Sequence, residues 1–464
     1  MRMGLRMCAH VTPPCLLQGL RVRPALPSWE SRTWLRESAA MRAAGTERAD
    51  GRRVGIPARR PVVAAYLGLA TIAWLAAASA GLAAAGDLGR GSPLAPDVLL
   101  ATHLVGLGFL PVAVTGAALH ILPILLRTGL PPGRLHLVAL PLLAAGGPLV
   151  AHELAYGGAG ALFRAGTGLL SAGLLLVLVQ VGWLVVRAPR GRALLASRAG
   201  VALSAMHAAL ALAAGAALFG NPDLLGIAFP RALLVHLHLA VLGWLVLLIV
   251  TVGRTLGPML ALAPAEPPRR LPLDELALAA GLWLLLGGLA ADVVPLALAG
   301  AAIAAVVLAR FVALLARVGR EFHTKGVEGP LVHFLAGALF LVQAVMLGVL
   351  ALVDVVDPWR AGPAYVVLLL VGFAAGVTLG HLGKLLALSA WHWWPPGPRP
   401  KQAWFYPRRL WLAEAAVFAT GVEGLALGAL ARSSTLATAG AAAVLVSAAL
   451  ACAAVLFTLR RGPR

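Results

Sequence analysis

The chain has 464 residues, 60% of them hydrophobic and 12% charged, with a formal net charge of +20. A soluble domain of that length could not hide so much apolar surface, so composition predicts a polytopic membrane protein whose main partner is the lipid bilayer. Alanine, leucine and valine runs suit packed helices and exclude the alternating pattern of a membrane β-barrel. Nucleic acid is excluded as a partner, because the N-terminal tail (+8) and the inner-face loops account for the positive charge. Cys8, Cys15 and Cys452 make neither CxxC nor CxxCH, which excludes a disulfide framework, a zinc ribbon and a covalent c-type haem site.

Residues 1–60 hold twelve arginines against four acids and have no apolar run of spanning length. They read as a basic, disordered cytoplasmic tail, or as translation from a start codon upstream of the real one, with Met41 a candidate start. Residues 61–464 read as one transmembrane domain. Spanning segments are predicted at roughly 62–86, 97–126, 135–156, 161–187, 194–219, 230–258, 272–291, 294–316, 330–353, 363–388, 408–431 and 436–459. The seventh and eighth are separated only by "DVVP".

If the first segment leaves the cytoplasm, the inner loops and helix ends carry eighteen Arg and Lys residues and the outer ones five: Arg90, Arg164, Arg231, Arg360 and Arg432. This positive-inside asymmetry predicts both termini in the cytoplasm, with a bacterial plasma membrane as the expected location.

The second segment contains "ATHLVGLGFLPVAVTGAALHILPILL", residues 101–126, with His103 and His120 near its ends. Seventeen residues separate them, about 26 Å of helix. The sixth segment repeats the pattern as "HLAVLGWLVLLIVTVGRTLGPML". In one common register His103 falls on His238, Gly108-Phe109 on Gly243-Trp244, and Pro123 on Pro258. A weaker copy, "GFAAGVTLGHLGKLLAL", lies in the tenth, where Gly372-Phe373 matches the glycine-aromatic pair, Lys384 stands at the place of His120, and Val367 replaces His103. Three related units four helices apart predict an all-α bundle of twelve transmembrane helices in three four-helix repeats. Glycine would let helices or a flat cofactor approach closely, with the aromatic ring as a wall.

These features resemble the catalytic subunit of haem-copper oxidases, whose second helix reads threonine, small residue, histidine, then apolar residues and a proline. The resemblance implies that His103 is an outer-side axial ligand of a low-spin, b-type haem. The full dinuclear centre is not implied. "HLHLAVLGW" replaces the copper motif of the sixth helix, and the seventh and tenth segments lack the paired histidines. "HLHLAVLGW" and "GHLGKLLAL" are more similar to divergent oxidase-like membrane proteins, including those of nitric-oxide response.

Intramembrane ionisable groups default to a functional reading. His103 and His238 are the expected ligands of haem or copper. His236, about 200° round the helix from His238, faces elsewhere, and His207 on the fifth helix is a third outer-half candidate. His120, His381, Lys384 and His333 form an inner-side secondary set, in which His381 and Lys384 share a face and His333 is expected to be a satisfied core residue. His152 and Glu153 are expected in solvent, and His10, His136, His323 and His392 in the tail or loops. Glu414 and Glu423 fall on opposite faces of the eleventh helix and are not a carboxylate pair; Glu423 could join a proton path or pair with a base. The expected function is electron transfer or nitric-oxide handling by a haem- or copper-binding protein, with a redox partner on the outer side. A secondary transporter and a haem or copper assembly factor are the alternatives. If the protein is an enzyme, it is an oxidoreductase.

Overall fold

In the computed structural model of this chain, the structure describes residues 60–462, apart from 132, 192–193, 262–270, 321–326, 393 and 396–397. The expected tail, apart from residue 60, and His323 lie outside the described residues. Among the described residues, twelve helices are long and apolar enough to cross a membrane. They are α1 Pro61–Gly89, α2 Pro96–Leu125, α3 Leu135–Gly157, α4 Ala161–Arg187, α5 Leu195–Gly220, α6 Phe229–Pro258, α7 Leu273–Ala291, α8 Val294–Arg320, α9 Gly329–Leu352, α10 Pro358–His392, α11 Arg408–Ala431 and α12 Ser434–Arg461. The protein is therefore an all-helical, multi-pass membrane protein, and no strand occurs among the described residues.

Local chemistry sets the helix ends. Proline occupies the first turn of α2, α6, α9 and α10, where its missing N–H costs nothing. The Asp357 carboxylate caps α10 through the Trp359 amide, and the Ser433 hydroxyl caps α12 through the Leu436 amide. With its cap at Asp357, α10 starts five residues before the sequence-based boundary. "DVVP" does break the chain into two helices. Asp292 turns it with a left-handed φ of 62°, and Arg432 does the same between α11 and α12 at 52°.

Three hairpins close on glycine. In α3/α4, an added Cβ on Gly146 would fall 2.4 Å from the Leu170 nitrogen. In α7/α8, one on Gly300 would fall 2.3 Å from that of Leu285, and in α11/α12, one on Gly440 would fall 2.3 Å from that of Leu425. With no hydrophobic drive between helices in lipid, backbone approach of this kind is what holds such pairs together. Helix α1 packs on α12 and α2, α5 on α6, and α9 on α10. The centre belongs to α10, where 83% of the most apolar window is buried, against 22% in α4 and α5.

Helices α2, α6 and α10 each carry a π-helical stretch: Leu104–Phe109, Leu239–Val246 and Val367–Ala375. Each contains the glycine-aromatic pair of its helix. The first two begin directly after His103 and His238, and the third begins at Val367, the position matched to His103. The stretches of α2 and α6 both touch that of α10. Such wide turns favour functional sites because they re-aim side chains out of α-helical register.

Candidate functional site

The end of the bundle opposite the arginine-rich loops collects His103, His236, His238 and Tyr365. His103 is half-buried, and its Nδ1 lies 2.8 Å from the Leu99 carbonyl one turn back. His236 turns toward α5, with Nδ1 3.1 Å from the Ala211 carbonyl and its ring over Gly215. Its ring also interacts electrostatically with that of His103. His238 is buried, with Nδ1 2.8 Å from the Leu234 carbonyl and Nε2 3.1 Å from the Tyr365 hydroxyl. His236 therefore packs against α5, within electrostatic reach of His103, and His238 meets α10. Register matching favours His238 because it aligns with His103. The two rings leave α6 in nearly opposite directions, as their spacing requires, and so meet different neighbours.

A carbonyl can only accept, so each of these Nδ1 atoms carries the proton and donates it. The lone pair then sits on Nε2, the tautomer in which imidazole binds a metal. In His238 that lone pair accepts from Tyr365 O–H. In His103 and His236 it enters no hydrogen bond among the described residues. Beside His103, a Cβ on Gly106 would meet nothing within 4 Å, and one on Gly108 would make only ordinary contacts. The other two glycine floors are closed: His207 covers Gly243, with 2.9 Å to an added Cβ, and Phe340 covers Gly372, with 2.8 Å. In those two helices the glycine admits a side chain; in α2, Gly108 makes ordinary contacts with Leu104 and Pro148, and the open position is Gly106.

His207 is fully buried against Trp283, with ring centroids 5.8 Å apart. Among the described residues neither ring nitrogen meets strict hydrogen-bond geometry, and the acceptor that acts on the ring is the Leu203 carbonyl one turn back. Among the described residues, no three His, Cys, Asp or Glu side chains gather as a metal site. A cavity of about 320 Å³ lies elsewhere, among α2, α4, α5 and α6, lined by Thr115, Ser171, Ser204, Trp244 and apolar side chains.

The secondary candidates lie toward the basic end. His120 is buried in electrostatic reach of His392, with no partner for its Nδ1 among the described residues. His381 Nδ1 sits 2.7 Å from the Val377 carbonyl and its ring meets Phe334 edge-on. Lys384 is held by Glu328 at 2.5 Å. His333 Nε2 lies 2.7 Å from Glu414 Oε2, while its buried Nδ1 has no hydrogen-bond partner among the described residues, so the expected satisfied core histidine is met at one nitrogen only. Glu423 accepts from Gln343 at 3.2 Å, so its partner is an amide and not a base.

Two expectations need correction, and one residue needs adding. Glu153 is buried at 5% exposure and bound by His152 Nδ1, because the last turn of α3 widens and folds the carboxylate under Gly157. His136 and His392 lie within helices and not in loops, since α3 starts at Leu135 and α10 runs on to His392. Tyr365 is a residue that sequence reasoning misses altogether. It stands as far beyond His236 as Val367 stands beyond His238, so the third copy carries tyrosine where the sixth helix has its first histidine. Compared with known proteins, the chain matches no family model and no curated protein.

Proposed function

We propose that the protein is a haem-binding integral membrane protein of haem-copper-oxidase-like architecture, acting in electron transfer or nitric-oxide handling. The observation that carries this reading is the pair His103 and His236. Both imidazoles donate Nδ1–H to a carbonyl and leave Nε2 outside any hydrogen bond among the described residues, and Gly106, three residues after His103, faces open space. This donor set fits haem, which needs one or two axial nitrogens and a flat apolar slot. It fits copper less well, because a third protein ligand is lacking among the described residues.

When bound, haem would supply an iron able to exchange one electron or bind nitric oxide. The chain supplies the rest. Leu99 and Ala211 carbonyls fix the tautomers, Gly106 leaves the floor clear, and Phe109, fully buried against Trp74 at 5.1 Å, stiffens the wall. Tyr365 orients His238 as a neighbour of the site.

The three-arc arrangement draws support from spacing. Gly146, Gly281 and Gly421 recur at nearly equal intervals along the chain, and each packs in an equivalent hairpin. The three π-helical stretches recur in the matched helices. With the arginine-rich loops in the cytoplasm of a bacterial cell, the histidine end faces outward and meets a redox partner there.

The test is an absorption spectrum of detergent-purified protein with metal analysis. The reading expects a Soret band that His103→Ala abolishes. A colourless, metal-free preparation from haem-replete cells would overturn it.

A further inference from the structure

The cavity among α2, α4, α5 and α6 has a polar corner that the haem reading does not use. Its volume is about 320 Å³, and none of the described residues that line it is ionisable. Its rim includes Leu175 on α4, 60% exposed, and Ala209 on α5, also exposed, so the cavity reaches the lipid-facing surface between these helices. They are also the two least buried spans of the bundle. A second space of about 10 Å³ adjoins the cavity and shares Thr115 and Val181 with it as a common wall. That is room for one oxygen atom.

Gln180 on α4 lines this annexe and is 2% exposed. Its Nε2 donates to the Leu176 carbonyl at 3.0 Å, which fixes the orientation of the amide. Its Oε1 is buried with no hydrogen-bond partner among the described residues. An amide oxygen left unpaired inside a membrane domain is costly, since the bilayer offers it no donor.

Packing does not require these polar groups. Gly166, Gly300 and Gly440 hold corresponding places in the three hairpins, where an added Cβ would fall against the nitrogen of Val150, Leu285 and Leu425 respectively. Gln180 lies fourteen residues after Gly166, and the residues fourteen after Gly300 and Gly440 are Leu314 and Ala454, both buried. Thr115 lies seven residues after Gly108, and seven after Gly243 and Gly372 stand Val250 and Leu379, also buried. The same helical frame is built twice with apolar side chains at these places, so the amide and the hydroxyl answer to something other than packing.

We propose that this cavity binds a neutral, lipophilic molecule with a single hydroxyl group, a phenol or alcohol of two-ring size, which enters from the bilayer between α4 and α5. An apolar cavity of about 150 Å³ holds one benzene ring, so about 320 Å³ has room for two, or roughly a dozen heavy atoms. The hydroxyl enters the annexe and donates to Gln180 Oε1, with Thr115 beside it. The apolar body rests against Trp244 and the aliphatic side chains of α4 and α5. An ion would leave its charge unpaired here. A diatomic gas needs neither the volume nor the acceptor, and a lipid acyl chain fits the walls but leaves Oε1 unpaired.

The experiment is equilibrium binding of tritiated 1-naphthol to the full chain in phosphatidylcholine nanodiscs, with empty nanodiscs subtracted. Naphthalene, which has the same rings and no hydroxyl, competes as the second probe. Saturable binding of one naphthol per chain is expected. It should be about threefold to tenfold tighter than naphthalene at equal concentration in the bilayer, the range that one buried hydrogen bond supplies. Gln180→Leu, which installs the residue type of α8, should bring naphthol down to the level of naphthalene and leave naphthalene unchanged. A purely structural role for Gln180 would weaken both probes alike or neither, and either result overturns the proposal. So does the absence of saturable binding, the outcome if a lipid chain keeps the cavity. Equal affinities for the two probes on the unaltered chain overturn it as well, and that comparison stands even if Gln180→Leu does not fold.

Discussion

Two histidine groups in the bundle use imidazole in opposite ways. At the arginine-poor end, His103, His236 and His238 donate Nδ1–H to backbone carbonyls, which are neutral and fixed. At the basic end, His333 faces a carboxylate whose second oxygen is also bound. A carbonyl can set a tautomer but cannot take a proton, so it prepares an imidazole to be a ligand. A carboxylate can hold or release the proton, so it prepares the imidazole for proton exchange. The same residue type is given two chemistries by its hydrogen-bond partner alone.

The largest expected effect breaks the basic end. His333→Leu leaves the Glu414 carboxylate buried with Ser447 alone and should cost about 3–5 kcal/mol. His103→Leu removes only a bond to a carbonyl within its own helix and should cost about 1 kcal/mol or less. Unfolding midpoints in detergent measure both, and equal losses would erase the contrast. Glycine gives the next contrast. A Cβ at Gly380 would fall 2.6 Å from that of His333, so Gly380→Ala should cost about 1–3 kcal/mol through overpacking. Gly106→Ala meets open space and should leave stability within about 0.5 kcal/mol while lowering haem content.

Much of the fold could be read in the sequence. Twelve apolar runs match twelve helices, because spanning length and hydropathy are nearly sufficient in lipid. Matched glycine-aromatic pairs locate three of the wide-turned helices, α2, α6 and α10, without revealing the π turns, since periodicity is too coarse to register one extra residue per turn. The site is legible in part. Histidines stand out in an oily helix, but whether His236 or His238 borders His103 depends on helix rotation, which no residue spacing fixes. The His333–Glu414 pair joins residues 81 positions apart, and nothing local in either helix announces the other.

Smaller substitutions sharpen the contrast further. Tyr365→Phe deletes one buried hydrogen bond and should cost about 0.5–1.5 kcal/mol, with haem content retained. Lys384→Met breaks a partly exposed ion pair and should cost about 0.2–1 kcal/mol at most, a loss that fades as salt is raised. Thermal midpoints at low and high ionic strength would record it.

On the proposed reading, His103 and His236 hold the haem while His238 belongs to Tyr365. That reading is tested most directly by haem content per protein, measured by pyridine haemochrome, in His236→Ala and His238→Ala preparations beside the unaltered chain. His236→Ala is expected to lose most of the haem and His238→Ala to retain it. Full retention in His236→Ala together with loss in His238→Ala would contradict the reading.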